Sequence, residues 1–222
     1  VFVFLVLWAV VQPFNASPDE AMRYQIVDFI ARHGTLPHGG DPEVRDAMWG
    51  ISYGFNPILS YILSAGFVKI TSFFTSGEQA LLIAARMVNV LLGTGFAFLV
   101  RRIARRLFQK PAGWFFTLAV TFLPGCLFVF SYVNTDGLAL FSTALIILMW
   151  VRALGSGWEI RTCAGLGTGI GLCAMSYYNA YGVILASILF FCVTILLCGD
   201  RKWDVRFLLS RGLLITAFVV VI

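Results

Sequence analysis

Long apolar runs, parted by short polar stretches, constrain this chain more than any other feature. The runs cover residues 80–100, 114–130, 138–151, 163–175, 181–197 and 213–222, with a shorter one at 1–11. With 59% hydrophobic and 12% charged residues, the composition excludes a soluble domain of ordinary make-up. Continuous apolar stretches near the ~20 residues of a spanning helix predict an all-α, polytopic transmembrane bundle. The shorter runs must then extend into their flanks. Residues 1–11 are too short to span, and the chain starts and stops inside apolar runs without an initiator Met. It is read as a piece of a longer protein, forming a single module over 1–222. A signal peptide at 1–11 is the competing reading, but no small-residue cleavage site stands out.

Where the positive charges lie sets the expected sidedness. Arg101, Arg102, Arg105, Arg106 and Lys110 form the strongest basic cluster, which the positive-inside rule assigns to the cytoplasm. Arg152 with Arg161, and Arg201-Lys202 with Arg206 and Arg211, mark two further inner loops. Residues 80–100 then run from outside to inside, and 56–74 cannot be a full crossing. That stretch is read as a helix in or dipping into the outer leaflet, with Lys69 snorkelling. The outer side holds 12–79, 131–137 and 176–181. Asp19, Glu20, Asp28, Asp41, Glu43, Asp46 and Glu78 make the first of these acidic. A soluble domain in 12–74 is excluded by its length, which is too short for a core.

Two patterns read as packing. Cys126, Cys163, Cys173, Cys192 and Cys198 lie in or beside apolar runs with no metal-ligand spacing, so they are expected to be buried thiols. Gly165, Gly167, Gly169 and Gly171 resemble a nucleotide loop only superficially. No strand precedes them, and the pairs 165/169 and 167/171 suit close helix contact.

The first outer loop opens on Ser17-Pro18-Asp19-Glu20. Ser17 as N-cap, Pro18 in the first turn and Glu20 closing a capping box predict a helix start. Met22, Ile26, Phe29 and Ile30 form an apolar stripe, Asp28 and Arg32 an i,i+4 pair, and Gly34 a stop. This predicts an amphipathic helix able to lie along a membrane. Asp41-Pro42-Glu43 predicts a second short one. Capping accounts for Glu20 but not for Asp19, which the box does not need. In the second outer loop, Asp136 stands at the mouth of an apolar helix, where an ionisable group needs a partner or a role. Asn134, Thr135 or Asp136 could each cap that helix, so capping and function both remain open. Arg86 sits about a turn inside an apolar run and calls for a partner or an anionic ligand.

The order of these features resembles a known family. A first apolar helix leads to a long outer loop that opens with Asp-Glu. Next come a helix ending in Arg-Arg-Leu-Phe, a helix ending near Pro, and a short loop reading Ser-Tyr-x-Asn-x-Asp. The pattern, over residues 1 to about 211, is similar to the polytopic glycosyltransferases of the C superfamily. Those include protein O-mannosyltransferases, lipid A aminoarabinose transferases and the catalytic subunit of oligosaccharyltransferase. The resemblance implies transfer of a sugar from a polyprenyl-phosphate-linked donor, with inversion, on the non-cytoplasmic face of a bacterial inner membrane. The acceptor would be a saccharide, lipid or protein, and no nucleic-acid partner is expected. It implies an active-site carboxylate at Asp19 in the first loop and at Asp136 in the second. Asp19 is the expected base, with Glu20 and Asp136 orienting groups or shaping the field. Arg23, His33, His38, Arg45 and Arg86 are the outer-side candidates for the departing lipid phosphate, with Tyr132 and Asn134 as further substrate contacts. Oligosaccharyltransferase carries an additional second-loop acid and needs a divalent metal. Here Asp136 is alone, so no cofactor or metal is expected. A transporter or flippase of lipid-linked saccharides is the rival reading. It would place ionisable groups at the bilayer midplane, and the runs after Arg86 hold almost none. A non-catalytic scaffold, with both acids acting as caps, is the third.

Overall fold

In a computed structural model the chain is 76% helix, with no strand among the described residues. The structure describes residues 1–38, 40–197 and 204–222. Cys198, Arg201 and Lys202 lie outside them.

The helices are α1 (Phe2–Val11), α2 (Glu20–His33), α3 (Leu59–Ser72), α4 (Glu78–Leu107), α5 (Lys110–Thr121), α6 (Pro124–Val129), α7 (Asp136–Ser156), α8 (Ile160–Ala174), α9 (Tyr181–Leu196) and α10 (Val205–Val221). Short 3-10 turns cover Pro42–Val44, Tyr53–Phe55 and Tyr178–Ala180. Glu78–Leu107, Asp136–Ser156 and Tyr178–Leu196 are long and apolar enough to cross a membrane. The expected run 114–130 is instead broken. Pro124 opens α6, and Leu123 before it is extended at φ −55°, ψ 128°. A residue preceding proline is excluded from the helical region by the ring, so one helix becomes two.

The chain divides into two compact units. The first comprises Val1–Gly95 and Thr121–Leu138. Its core joins Ile26, Val27 and Ala31 of α2 to Tyr61, Ala65 and Val68 of α3, Ala85 of α4, Val44 and Val133. The apolar stripe of α2 therefore packs within the protein, with Phe29 and Ile30 half-buried at its edge. Ser64 donates to the Ala85 carbonyl at 2.9 Å and locks α3 to α4. The expected ends of α2 hold at the C-terminus: Gly34 takes φ 68° and donates to the Ile30 carbonyl. The Asp28–Arg32 pair forms at 2.8 Å. At 14 residues, α3 is about 21 Å long and too short to cross hydrocarbon.

The second unit comprises Phe96–Val120 and Ala139–Ile222. Here α8 lies against two partners through its glycines. A Cβ on Gly165 would meet the Met149 sulfur at 2.5 Å, and one on Gly169 the Ile146 side chain at 2.9 Å, both on α7. On another face, a Cβ on Gly167 would meet the Ile215 carbonyl oxygen at 2.5 Å, and one on Gly171 that of Val219 at 3.3 Å, both on α10. The small-residue pairs thus serve two close helix contacts.

Candidate active site

The site forms in the first unit, where the loop after α1 meets the loop before α7. At its base lies a buried ion pair. Glu20 is fully buried and takes Arg86 Nε at 2.8 Å on one carboxylate oxygen and Nη2 at 2.6 Å on the other. Arg86 Nη1 also donates to the carbonyls of Ala9 and Gln12, each at 2.7 Å, and Nη2 to that of Pro13 at 3.2 Å. All five of its N–H donors are thereby satisfied. Glu20 further accepts the amides of Val133 (3.2 Å) and Asn15 (3.1 Å). One fork-to-fork pair thus ties the end of α1, the start of α2, α4 and the second loop together.

Neither Asp19 nor Asp136 caps its helix. Asp19 occupies the N-cap position of α2, in a left-handed conformation at φ 58°, but its side chain bonds no backbone amide of the helix. Asn15, also left-handed, accepts the Ala21 amide at 3.1 Å instead. The expected capping box does not form, because Glu20 turns inward to Arg86 and α2 begins two residues later than Pro18 requires. At the second loop, Asn134 Oδ1 accepts the Gly137 amide at 2.9 Å and so takes the capping position of α7. Its amide nitrogen donates to the carbonyls of Val129 (2.7 Å) and Tyr132 (3.0 Å). Asn89 of α4 holds the loop from below, donating to the carbonyls of Tyr132 (2.6 Å) and Asn134 (3.1 Å).

The two released carboxylates are linked by side chains. Asp19 is exposed and accepts the Tyr53 hydroxyl at 2.6 Å. The Tyr53 ring lies under the Arg23 guanidinium, 4.9 Å from its centroid. Arg23 Nη1 reaches Asp136 Oδ2 at 3.2 Å. Arg23 itself is 7% exposed, and its buried Nε has no hydrogen-bond partner. Burial opposes the Arg23 charge, yet Tyr61, Tyr132, Asp136 and Tyr53 around it hold its pKa above the ordinary arginine value. Burial, acting first, pushes the phenols of Tyr53, Tyr61 and Tyr132 upward. The group therefore offers an exposed carboxylate, a permanent buried cation and neutral phenols in one place.

Other expected site residues are engaged within the first loop. His33 Nε2 lies 3.3 Å from Glu43, which also meets Arg32 at 3.0 Å. Hydrogen bonds from His33 and Arg32 hold the Glu43 carboxyl below its usual range. The His38 ring nitrogen accepts the Gly40 amide, and Arg45 Nε donates to the Gly50 carbonyl at 2.7 Å. Beside the site, a cavity of about 460 Å³ is lined by Phe4, Leu7, Trp8, Val11, Ala16 and Phe128, among others. No group of three or more His, Cys, Asp or Glu side chains arranged to hold a metal ion occurs among the described residues.

Tyr53, Asn15 and Asn89 escape sequence reasoning. A tyrosine in an interfacial loop carries no special signal. Asn89, a polar residue inside an apolar run, was the readable one of the three. Comparison with protein-family models, with curated protein sequences and with solved structures finds no match.

Proposed function

We propose that this chain is the membrane module of a glycosyltransferase, moving a sugar from a polyprenyl-phosphate-linked donor to an acceptor on the non-cytoplasmic face. One observation carries the reading. Both outer-loop aspartates are relieved of capping by neighbouring asparagines, and Arg23 and Tyr53 join them. A helix-capping role for either acid leaves that arrangement without a cause.

In the proposed reaction, Asp19 takes the acceptor hydroxyl proton as the oxygen bonds to the anomeric carbon. The bond from that carbon to the donor phosphate breaks, and the phosphate leaves with the electron pair. Arg23, with an unpartnered Nε, is the cation suited to that developing charge. Asp136 fixes Arg23, while Glu20 and Arg86 hold both loops in register. Tyr132 contributes to the phenol wall. The apolar cavity beside Ala16 has the chemistry of an isoprenoid chain site. In this reading the module is multi-pass in a bacterial inner membrane, with the shorter helices completing the bundle.

The test is transfer by Asp19→Asn, assayed with defined polyprenyl-phosphate sugars. Loss of a general base lowers the rate by about 10²-fold or more. Transfer at the parental rate by a folded, inserted variant removes Asp19 as the base.

A further inference from the structure

The basic cluster between α4 and α5 has no part in that chemistry, and the structure divides it. Arg102 turns its guanidinium over the Phe98 ring at 5.2 Å, and Arg106 lies toward Gly155. Arg101, Arg105 and Lys110 instead line one cavity of about 520 Å³, with Phe108 and Trp114. Arg101 and Arg105 stand four residues apart on one face of α4. Like charges so placed repel, unless an anion sits between them. Among the described residues, no carboxylate lies within ion-pair distance of Arg101, Arg105 or Lys110.

The cavity is built rather than incidental. Arg101 stacks on Trp114 at 3.8 Å, which fixes the guanidinium through its face and leaves its in-plane N–H donors for an oxygen ligand. Gly113 lets α5 approach α4 closely, since a Cβ there would lie 3.3 Å from the Ala104 carbonyl oxygen and 3.4 Å from Arg101 Nη1. Phe108 is braced by Phe116 at 5.0 Å. Sidedness alone requires positive charge in this loop, but not three cations converging with two aromatic rings.

We propose that this cavity binds the phosphodiester headgroup of an anionic phospholipid. A fork-bearing arginine, a second arginine and a lysine match a phosphate. The phosphate could also come from a soluble anion, but the surroundings favour a lipid. Trp114 (55% exposed), Phe115 (76%) and Leu118 (52%) continue from the cavity along α5 as an uncovered apolar strip. Acyl chains would cover that strip, whereas a soluble phosphate would leave it bare.

The experiment uses the full chain in detergent and native mass spectrometry, with phosphatidylglycerol, phosphatidylcholine and inorganic phosphate as separate probes. Phosphatidylglycerol is expected to be retained over phosphatidylcholine, and millimolar inorganic phosphate not to displace it. Arg101→Gln, Arg105→Gln and Lys110→Gln together are expected to weaken that binding by about tenfold or more. Arg102 and Arg106 remain in that variant, so the loop between α4 and α5 keeps positive charge. Equal retention of the two lipids, or undiminished binding by the variant, overturns the proposal. Displacement by inorganic phosphate overturns the lipid assignment in favour of a soluble anion. If the triple variant does not fold, the headgroup comparison on the parental chain decides alone.

Discussion

Asp19 sits in a backbone region that most residues avoid, and only aspartate, asparagine and glycine enter it readily. Asparagine therefore keeps the turn while removing the base, which makes Asp19→Asn a change of chemistry and not of fold. The Tyr53 hydroxyl is the contact that aims the carboxylate. Tyr53→Phe is expected to lower transfer by about tenfold, the worth of one hydrogen bond to a charged group, with kcat assays as the check. Burial first, and then the bond to Asp19, raise the Tyr53 phenol above its ordinary value. The folded state thus holds that proton more tightly than the unfolded chain. The stability so gained is complete below the ordinary tyrosine value of about 10 and is lost as pH climbs through the raised one. The melting-temperature advantage of the parent over Tyr53→Phe should be greatest near neutral pH and shrink in strong alkali, where only the parent must ionise a partly buried phenol. The Glu20 carboxylate is wholly enclosed. Glu20→Gln leaves Arg86 buried without its counter-charge and is expected to destabilise by about 3–5 kcal/mol in detergent unfolding. Arg86→Met should cost at least as much, because the carbonyls of Ala9, Gln12 and Pro13 lose their donor as well.

At the scale of elements, α8 turns a sequence pattern into a test. Its four alternate glycines were legible as packing residues, since a small-xxx-small run needs no partner to be recognised. Which partner each pair faces was not legible, because that depends on the rotation of α8 between α7 and α10. The consequences differ by face. Gly167→Ala pushes a methyl against the backbone carbonyl of Ile215, which cannot move without shifting α10. Gly165→Ala meets the end of the Met149 side chain, which has three rotatable bonds and can swing aside. Gly167→Ala is expected to destabilise by about 1–3 kcal/mol, and Gly165→Ala by clearly less. Equal losses in thermal unfolding would mean that α10 gives way as easily as a methionine. The start of α2 shows the limit of local signals. Ser17, Pro18 and Glu20 fit a capping box among themselves, yet Arg86, sixty-six residues on, draws Glu20 inward. A buried ion pair outweighs one cap, and nothing near Glu20 in sequence announces it.

For the whole molecule, the apolar runs made an all-helical chain legible, and three of its described helices are long and apolar enough to span. Within the chain, α5 and α8 hold 12 and 15 residues, so each falls short of hydrocarbon thickness by itself. Hydropathy averages over a window and does not register a break such as Pro124, whose effect is local and steric. Charge asymmetry is a stronger guide to sidedness than helix count, because it acts on loops and not on spans. The loop with Asp19 is acidic, and the turn between α4 and α5 is basic. A lipid-linked donor on the outer leaflet can meet Asp19 only if the first loop lies outside. In a chain whose five cysteines are replaced by alanine, exposed Thr35→Cys is expected to react with an impermeant maleimide applied to intact cells. Exposed Gln109→Cys should react only after the membrane is opened. The reverse pattern would put the proposed base on the side away from its substrate, and would do so whatever the arrangement of Tyr53, Arg23 and Asp136 around it.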